Sequence, residues 1–160
     1  MINSPIDGYS IIYMSYKGKY TPKRPEKYVG DVKDIVYRSL WERNTFRWID
    51  ANDSIVHWNS ESVIIPYVCG TDNKIHRYFM DLWFQTREGK NYIVEIKPKK
   101  QTEPPKTPKR RTRRYIKESL TYVKNQSKWS AATEFAENRG WEFQIWTEDT
   151  LKQLGIKILK

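Results

Sequence analysis

The chain has 160 residues, 38% hydrophobic and 30% charged, and 29 Lys and Arg against 19 Asp and Glu give a formal charge of +10. That length suits one domain with a real core, and the basic excess favours a polyanionic partner, nucleic acid ahead of an anionic membrane. No stretch approaches the roughly 20 apolar residues of a spanning helix, and no charged-then-apolar leader opens the chain, so no membrane association is expected.

Cys69 is the single cysteine, which excludes an intramolecular disulfide and a Cys-based zinc site and suits a reducing, cytoplasmic setting. His57 and His76 are far apart in sequence and read as ordinary polar residues. The seven Trp and eleven Tyr are mostly core, with stacking on bases as their other use.

Tyr, Lys, Pro and Gly dominate the first stretch, as in Tyr16-Lys-Gly-Lys-Tyr20, Pro22, Pro25 and Gly30. This predicts an extended arm over 1–38, lying on a domain that occupies 39–160. Ser39-Leu-Trp-Glu42 is a capping-box sequence, and Trp41, Thr45 and Trp48, with Phe46 and Ile49, follow at helical spacing. A helix is expected over 39–51. Three strands are expected next, over 62–69, 77–86 and 91–97. Pro66 puts the first at an edge or a bulge, and 70–74 form a turn.

Residues 98–114 combine four prolines with a dense basic run, which predicts an exposed loop, mobile when unbound. Helices are expected over 115–124 and 128–139, the second closed by Gly140. A strand over 141–147 and a short helix over 148–154, capped by Thr147, complete the chain. The order helix, three-stranded meander, helix, strand implies an α/β (α+β) domain. Its last strand returns after a long helical crossover, so the central sheet should be mixed.

The hairpin at Arg87-Glu88-Gly89 has a register that can be worked out. A three-residue loop with Gly89 in the left-handed position pairs Thr86 with Lys90, and five residues further on it pairs Asp81 with Glu95. Alternation then puts Asp81, Glu95 and Lys97 on one face, and Met80, Leu82 and Phe84 on the other with Tyr92, Val94 and Ile96. Two opposed carboxylates repel, and a hard cation such as Mg²⁺ between them removes that cost. Lys97 would hold a phosphate oxygen or the attacking water. The alternative is a cross-strand Asp–Lys pair on a solvated face, and the residues alone leave the two readings about even.

Glu42 is explained by the capping box, yet it shares a helical stripe with Phe46 and Ile49 and so points inward, where a carboxylate needs a partner. Glu61 has the same two readings, with solvation at the strand edge the simpler. The basic run is either a solvated linker or a strap that contacts phosphates through Lys99, Lys100, Lys109, Arg110, Arg111, Arg113 and Arg114.

Asp81, then Glu95-Ile96-Lys97, preceded by a helix glutamate, resembles the PD-(D/E)XK nuclease superfamily, with its restriction-endonuclease-like core. The position before Asp81 is Met80, not the proline of the superfamily's name. Tyr37-Arg-Ser-Leu-Trp-Glu42 is similar to the opening motif of phage junction-resolving endonucleases and of the endonuclease subunits of heteromeric transposases.

A longer resemblance, to the head completion nucleases of T-even-like bacteriophages, rests on several blocks. They are Tyr28-Val-Gly-Asp31, Tyr37-Arg-Ser-Leu-Trp-Glu42, Ile65-Pro-Tyr67, Arg77-Tyr-Phe-Met-Asp81, Glu95-Ile-Lys-Pro-Lys-Lys100, Lys128-Trp129 and Thr147-Glu-Asp149.

These resemblances imply a metal-dependent DNA endonuclease using Mg²⁺, with Mn²⁺ as a substitute. Asp81, Glu95, the Ile96 carbonyl and Glu42 would be ligands, Lys97 would be catalytic, and Arg38 would join the basic strap on DNA. They also imply action on the filled head or its DNA end before tail joining, with head, portal or neck proteins as partners. The setting would be the host cytoplasm or the virion. The alternatives are a neck protein with an idle nuclease fold, a branched-DNA resolvase and a plain DNA-binding module.

Overall fold

Ser39 starts the first helix because its hydroxyl accepts the Glu42 amide at 3.1 Å, which satisfies one of the donors a helix leaves unpaired at its start. The computed structural model describes residues 16–158, and in it this helix, α1, spans Leu40–Ala51. The arm residues before it include a small antiparallel pair, β1 (Gly18–Lys19) with β2 (Val36–Tyr37). Tyr20, Tyr28 and Ile35 are buried against Phe46 of α1 and Trp58. The part of the expected arm over 1–15 lies outside the described residues.

The central sheet has four strands in the order β3-β6-β7-β8. These are β3 (Ile55–Asn59), β6 (Leu82–Thr86), β7 (Asn91–Ile96) and β8 (Glu142–Trp146), with β4 (Ile64–Val68) and β5 (Ile75–Phe79) inserted between β3 and β6. Strands β3, β6 and β7 run antiparallel, and β8 joins β7 in parallel. The expected mixed α/β sheet is therefore present. The Gly89 hairpin also has the expected register, with φ +85° at Gly89 and Leu82 opposite Val94. Helices α2 (Arg113–Asn138) and α3 (Glu148–Gln153) flank β8. Gly140, at φ +67°, closes α2 as expected, its amide reaching the Glu137 carbonyl at 3.1 Å. Among the described residues no helix is long and apolar enough to cross a membrane.

Four expectations need correction. The strand β3 was not anticipated, because it is only five residues long and two of them, His57 and Asn59, are polar. It takes the first place in the meander, and the expected first strand becomes β4 of a separate ribbon with β5. The expected strand over 77–86 is broken between Phe79 and Leu82. The break changes the face: Tyr78 and Met80 pack with Trp129 and Ala132 of α2, whereas Leu82 and Phe84 pack with the α1 side chains. Met80 thus lies opposite to where strict alternation puts it.

The two helices expected over 115–139 are one. Asn125, Trp129, Ala132 and Ala136 form a buried stripe at helical spacing that carries the helix through Asn125-Gln-Ser127, whose weak propensities suggested an end. Finally, the basic loop is shorter than expected. Arg113 and Arg114 belong to the first turn of α2, capped by Thr112, and Lys99–Thr102 is a 3-10 turn fastened by the Lys99 amide to Glu148 at 3.0 Å.

Candidate active site

The break at Met80–Asp81 sets the geometry of the site. Asp81 stands just before β6 and accepts the Ile96 amide through Oδ2 at 2.8 Å, which ties it to the end of β7. Glu95 occupies the neighbouring position on β7 and is 6% exposed. Its Oε2 accepts a short hydrogen bond from the Tyr78 hydroxyl, and its Oε1 lies 3.4 Å from Lys97 Nζ. Glu42, 9% exposed, enters from the first turn of α1. Its Oε2 accepts the Arg38 amide at 3.0 Å, one residue earlier than a capping box would direct it.

The sheet face carrying these groups is not the solvated one that the cross-strand Asp–Lys alternative would require. Ile93 packs there beneath Trp129, Ala132 and Ala136 of α2, so the carboxylates are enclosed at the sheet's end. Burial and then the charges of Glu95 and Glu42 hold the Asp81 carboxyl well above its usual range, with the Ile96 amide and Lys97 only partly opposing them. Burial also raises Glu42, offset by the Arg38 amide and guanidinium, while Glu95 pushes it further up. Among the described residues Lys97 is the one cation within ion-pair distance of any of the three carboxylates.

By donor type this cluster suits a hard divalent cation, although its three carboxylates do not offer oxygens all within 4.8 Å of one another. Its donors are carboxylate oxygens on rigid elements, and their mutual repulsion is what a bound cation relieves. The solvated cross-strand Asp–Lys pair does not describe it, because Lys97 approaches Glu95, and both are sheltered.

Glu42, Asp81, Glu95 and Lys97 are therefore brought together, with Ile96 between the last two. Arg38 is beside them and forms an ion pair with Glu61, a residue held at φ +56° just before the ribbon. Lys100, Lys109, Arg110, Arg111, Arg113 and Arg114 are exposed, and Lys99 pairs with Asp149 at 3.4 Å.

Two residues escaped the sequence reading. Strict alternation along the expected strand would put Tyr78 on the face opposite Glu95, since nothing local signals the break that turns it over. Lys128 of α2 lies with its Nζ 5.2 Å from the Tyr78 ring centroid, and its place beside Trp129 at the edge of a helical stripe was the available signal. The fold also gathers Cys69, Asp72 and His76, whose donor atoms lie within 4.8 Å of one another, although Cys69 and the histidines had been set aside as ligands. They sit at the far end of the β4–β5 ribbon, where His76 Nε2 meets Asp72 at 2.8 Å.

Comparison with known proteins matches residues 52–148 to the family described as the N-terminal part of TnsA-like endonucleases. The chain is also 47% identical over 148 residues to a protein of Enterobacteria phage T4 described as "Head completion nuclease", covering 90% of this chain and 99% of that one. No solved structure matches it.

Proposed function

The chain belongs to the TnsA-like endonuclease family, and on that premise we propose that it is a metal-dependent DNA endonuclease whose active centre is Asp81, Glu95, Lys97 and Glu42. The observation that carries the reading is the convergence of three sheltered carboxylates and a lysine at one end of the sheet. Such a set is costly to keep without a cation to gather.

In this reading Asp81, Glu95, the Ile96 carbonyl and Glu42 hold Mg²⁺, with Mn²⁺ able to replace it. When bound there, such an ion would supply Lewis-acid polarisation of the phosphate and a lowered pKa for the attacking water. The Tyr78 hydroxyl and the Ile96 amide keep the Glu95 and Asp81 carboxylates in fixed orientations, so little reorganisation is needed when substrate arrives. The ammonium of Lys97 orients the nucleophile and offsets the negative charge that builds on the phosphate oxygens.

DNA is held by Arg38, Lys99, Lys100, Lys109, Arg110, Arg111, Arg113 and Arg114. Two of these, Arg113 and Arg114, stand on the first turn of a 26-residue helix, where unpaired amides and the helix dipole also favour phosphate. In this reading the described arm residues 16–38 lie on the nuclease domain. The T4 relative's description supports a role in head completion, and in this reading the chain acts on the filled head or its DNA end before tail joining. Head, portal or neck proteins would be partners, and the setting would be the host cytoplasm during assembly.

The test is a cleavage panel of linear, nicked, branched and single-stranded DNA with and without Mg²⁺, with Asp81→Ala as control. Mg²⁺-dependent cutting that the substitution abolishes supports the reading. No cutting of any substrate would favour a non-catalytic neck protein, and equal cutting by Asp81→Ala would remove the site assignment.

A further inference from the structure

Lys128 is an unusual cation for its position. It lies on α2 beside the buried stripe of Asn125, Trp129 and Ala132, is itself partly buried, and holds its ammonium above the face of Tyr78. Tyr78 in turn donates to Glu95, so the lysine stands over the carboxylate cluster with one aromatic ring between. Yet among the described residues no carboxylate lies within ion-pair distance of Lys128. The charged groups it faces are Glu95 and Asp81 from the sheet, Lys97 from the end of β7 and Lys124 one turn earlier on its own helix.

Keeping a sheltered ammonium without a carboxylate partner carries a cost, and a second lysine four residues away adds to it. The ring face of Tyr78 offsets only part, on the order of 0.5–2 kcal/mol for such a contact. What would satisfy both the ammonium and the nearby lysines is an anion entering over the carboxylates. Burial lowers the Lys128 pKa, and Lys124 and Lys97 lower it further, so the charges of Glu95 and Asp81 only partly restore the charged form.

We propose that Lys128 binds a non-bridging oxygen of the scissile phosphate from α2, so that the phosphodiester is held between this ammonium and that of Lys97. The inference rests on the nuclease reading above and adds to it a substrate contact outside the strand motif. The ammonium of Lys128 is already held over the Tyr78 ring, so its contribution is to position the phosphate as well as to offset its charge.

The experiment is single-turnover cleavage of the DNA substrate that the panel identifies, by the full chain. It compares wild type, Lys128→Gln, Lys128→Met, Lys128→Arg and Asp81→Ala across Mg²⁺ concentrations. The Gln and Met variants keep an unbranched side chain of similar length and should fold. Each is expected to lose about 10²–10³-fold in rate, with the half-saturating Mg²⁺ concentration unchanged and the melting temperature close to wild type. Lys128→Arg should recover at least about tenfold of that loss, since it restores a cation with different donor geometry.

Wild-type rates in Lys128→Gln and Lys128→Met, with Asp81→Ala inactive, overturn the Lys128 assignment and leave the nuclease reading standing. Loss of rate without recovery in Lys128→Arg, or in step with a fall in melting temperature, assigns Lys128 to the fold and also overturns it. A wild-type protein that cuts nothing removes both.

Discussion

Two aspartates in this molecule meet very different surroundings. Asp50, 2% exposed at the end of α1, accepts the Tyr20 hydroxyl and the amides of Lys23 and Arg24 at 3.1, 2.6 and 3.1 Å. Close by, the buried Lys27 ammonium donates to the carbonyls of Ile49, Asp50 and Asn52 at 2.5, 3.0 and 2.8 Å. The lysine thus closes the C-terminus of α1, where the helix dipole favours a cation. Around Asp50 every strong donor meets an acceptor, and nothing further is required.

Asp81 has one backbone amide and two carboxylate neighbours. Unequal satisfaction separates a carboxylate that fastens the arm to the helix from one that, on the proposed function, takes a cation. The lesson is that burial of a charge says little about its role until its partners are counted.

Substitution should separate the two regions. Asp81→Ala is expected to lower the cleavage rate by at least about 10³-fold, about 4 kcal/mol of barrier, with the urea unfolding midpoint unchanged or raised. Asp50→Ala should do the reverse, costing on the order of 3 kcal/mol of stability because it strands three donors. Urea titration measures that loss, and the folded fraction should cut at the wild-type rate. If Asp50→Ala is no less stable than wild type, the satisfied region is not what holds the arm.

A pH series sharpens the contrast. Asp81 and Glu42 have raised values in the folded state, so the native protein binds more protons than the unfolded chain between the ordinary carboxyl values and the raised ones. Their contribution to metal-free stability is therefore fully present below about pH 4 and is lost as pH rises through the raised values. Asp81→Asn can still accept the Ile96 amide but carries no charge. It should flatten this decline and raise the metal-free melting temperature at pH 7, by about 2–4 °C for each kcal/mol of repulsion removed. Mg²⁺ should stabilise wild type at pH 7 more than at pH 5, and Asp81→Asn little at either. Scanning calorimetry across pH, with and without Mg²⁺, checks the set.

The smallest effect is expected from the basic segment, which neither region needs for folding. Replacing Arg110, Arg111, Arg113 and Arg114 with Gln should weaken DNA binding and reduce the salt dependence of log K by about 0.9 for each phosphate contact removed. An unchanged slope in a filter-binding or anisotropy titration would exclude them as phosphate contacts.

Some of this was readable from the chain because it is local. The Ser39 cap, the left-handed Gly89 that sets the Asp81–Glu95 register and the Gly140 closure of α2 each depend on a few adjacent residues with a strong conformational preference. From that register alone Asp81, Glu95 and Lys97 could be placed together, and the stripe of Glu42, Phe46 and Ile49 turned Glu42 inward.

Tertiary structure decided the rest. Asn125-Gln-Ser127 continues as helix because Asn125 and Trp129 bury against the sheet, and because Ser127 Oγ takes the Gly70 amide of the ribbon at 3.0 Å. The β4–β5 ribbon packs on α2 while β6 joins β3 and β7, so the strand must change faces near Asp81. That change turns Tyr78 towards Glu95 and sets Lys128 above it. Local periodicity determines which residues share a face of one strand. Which face a helix covers, and where a strand must break to be covered twice, depends on packing between segments far apart in the chain, and that decided whether the carboxylates are solvated or enclosed.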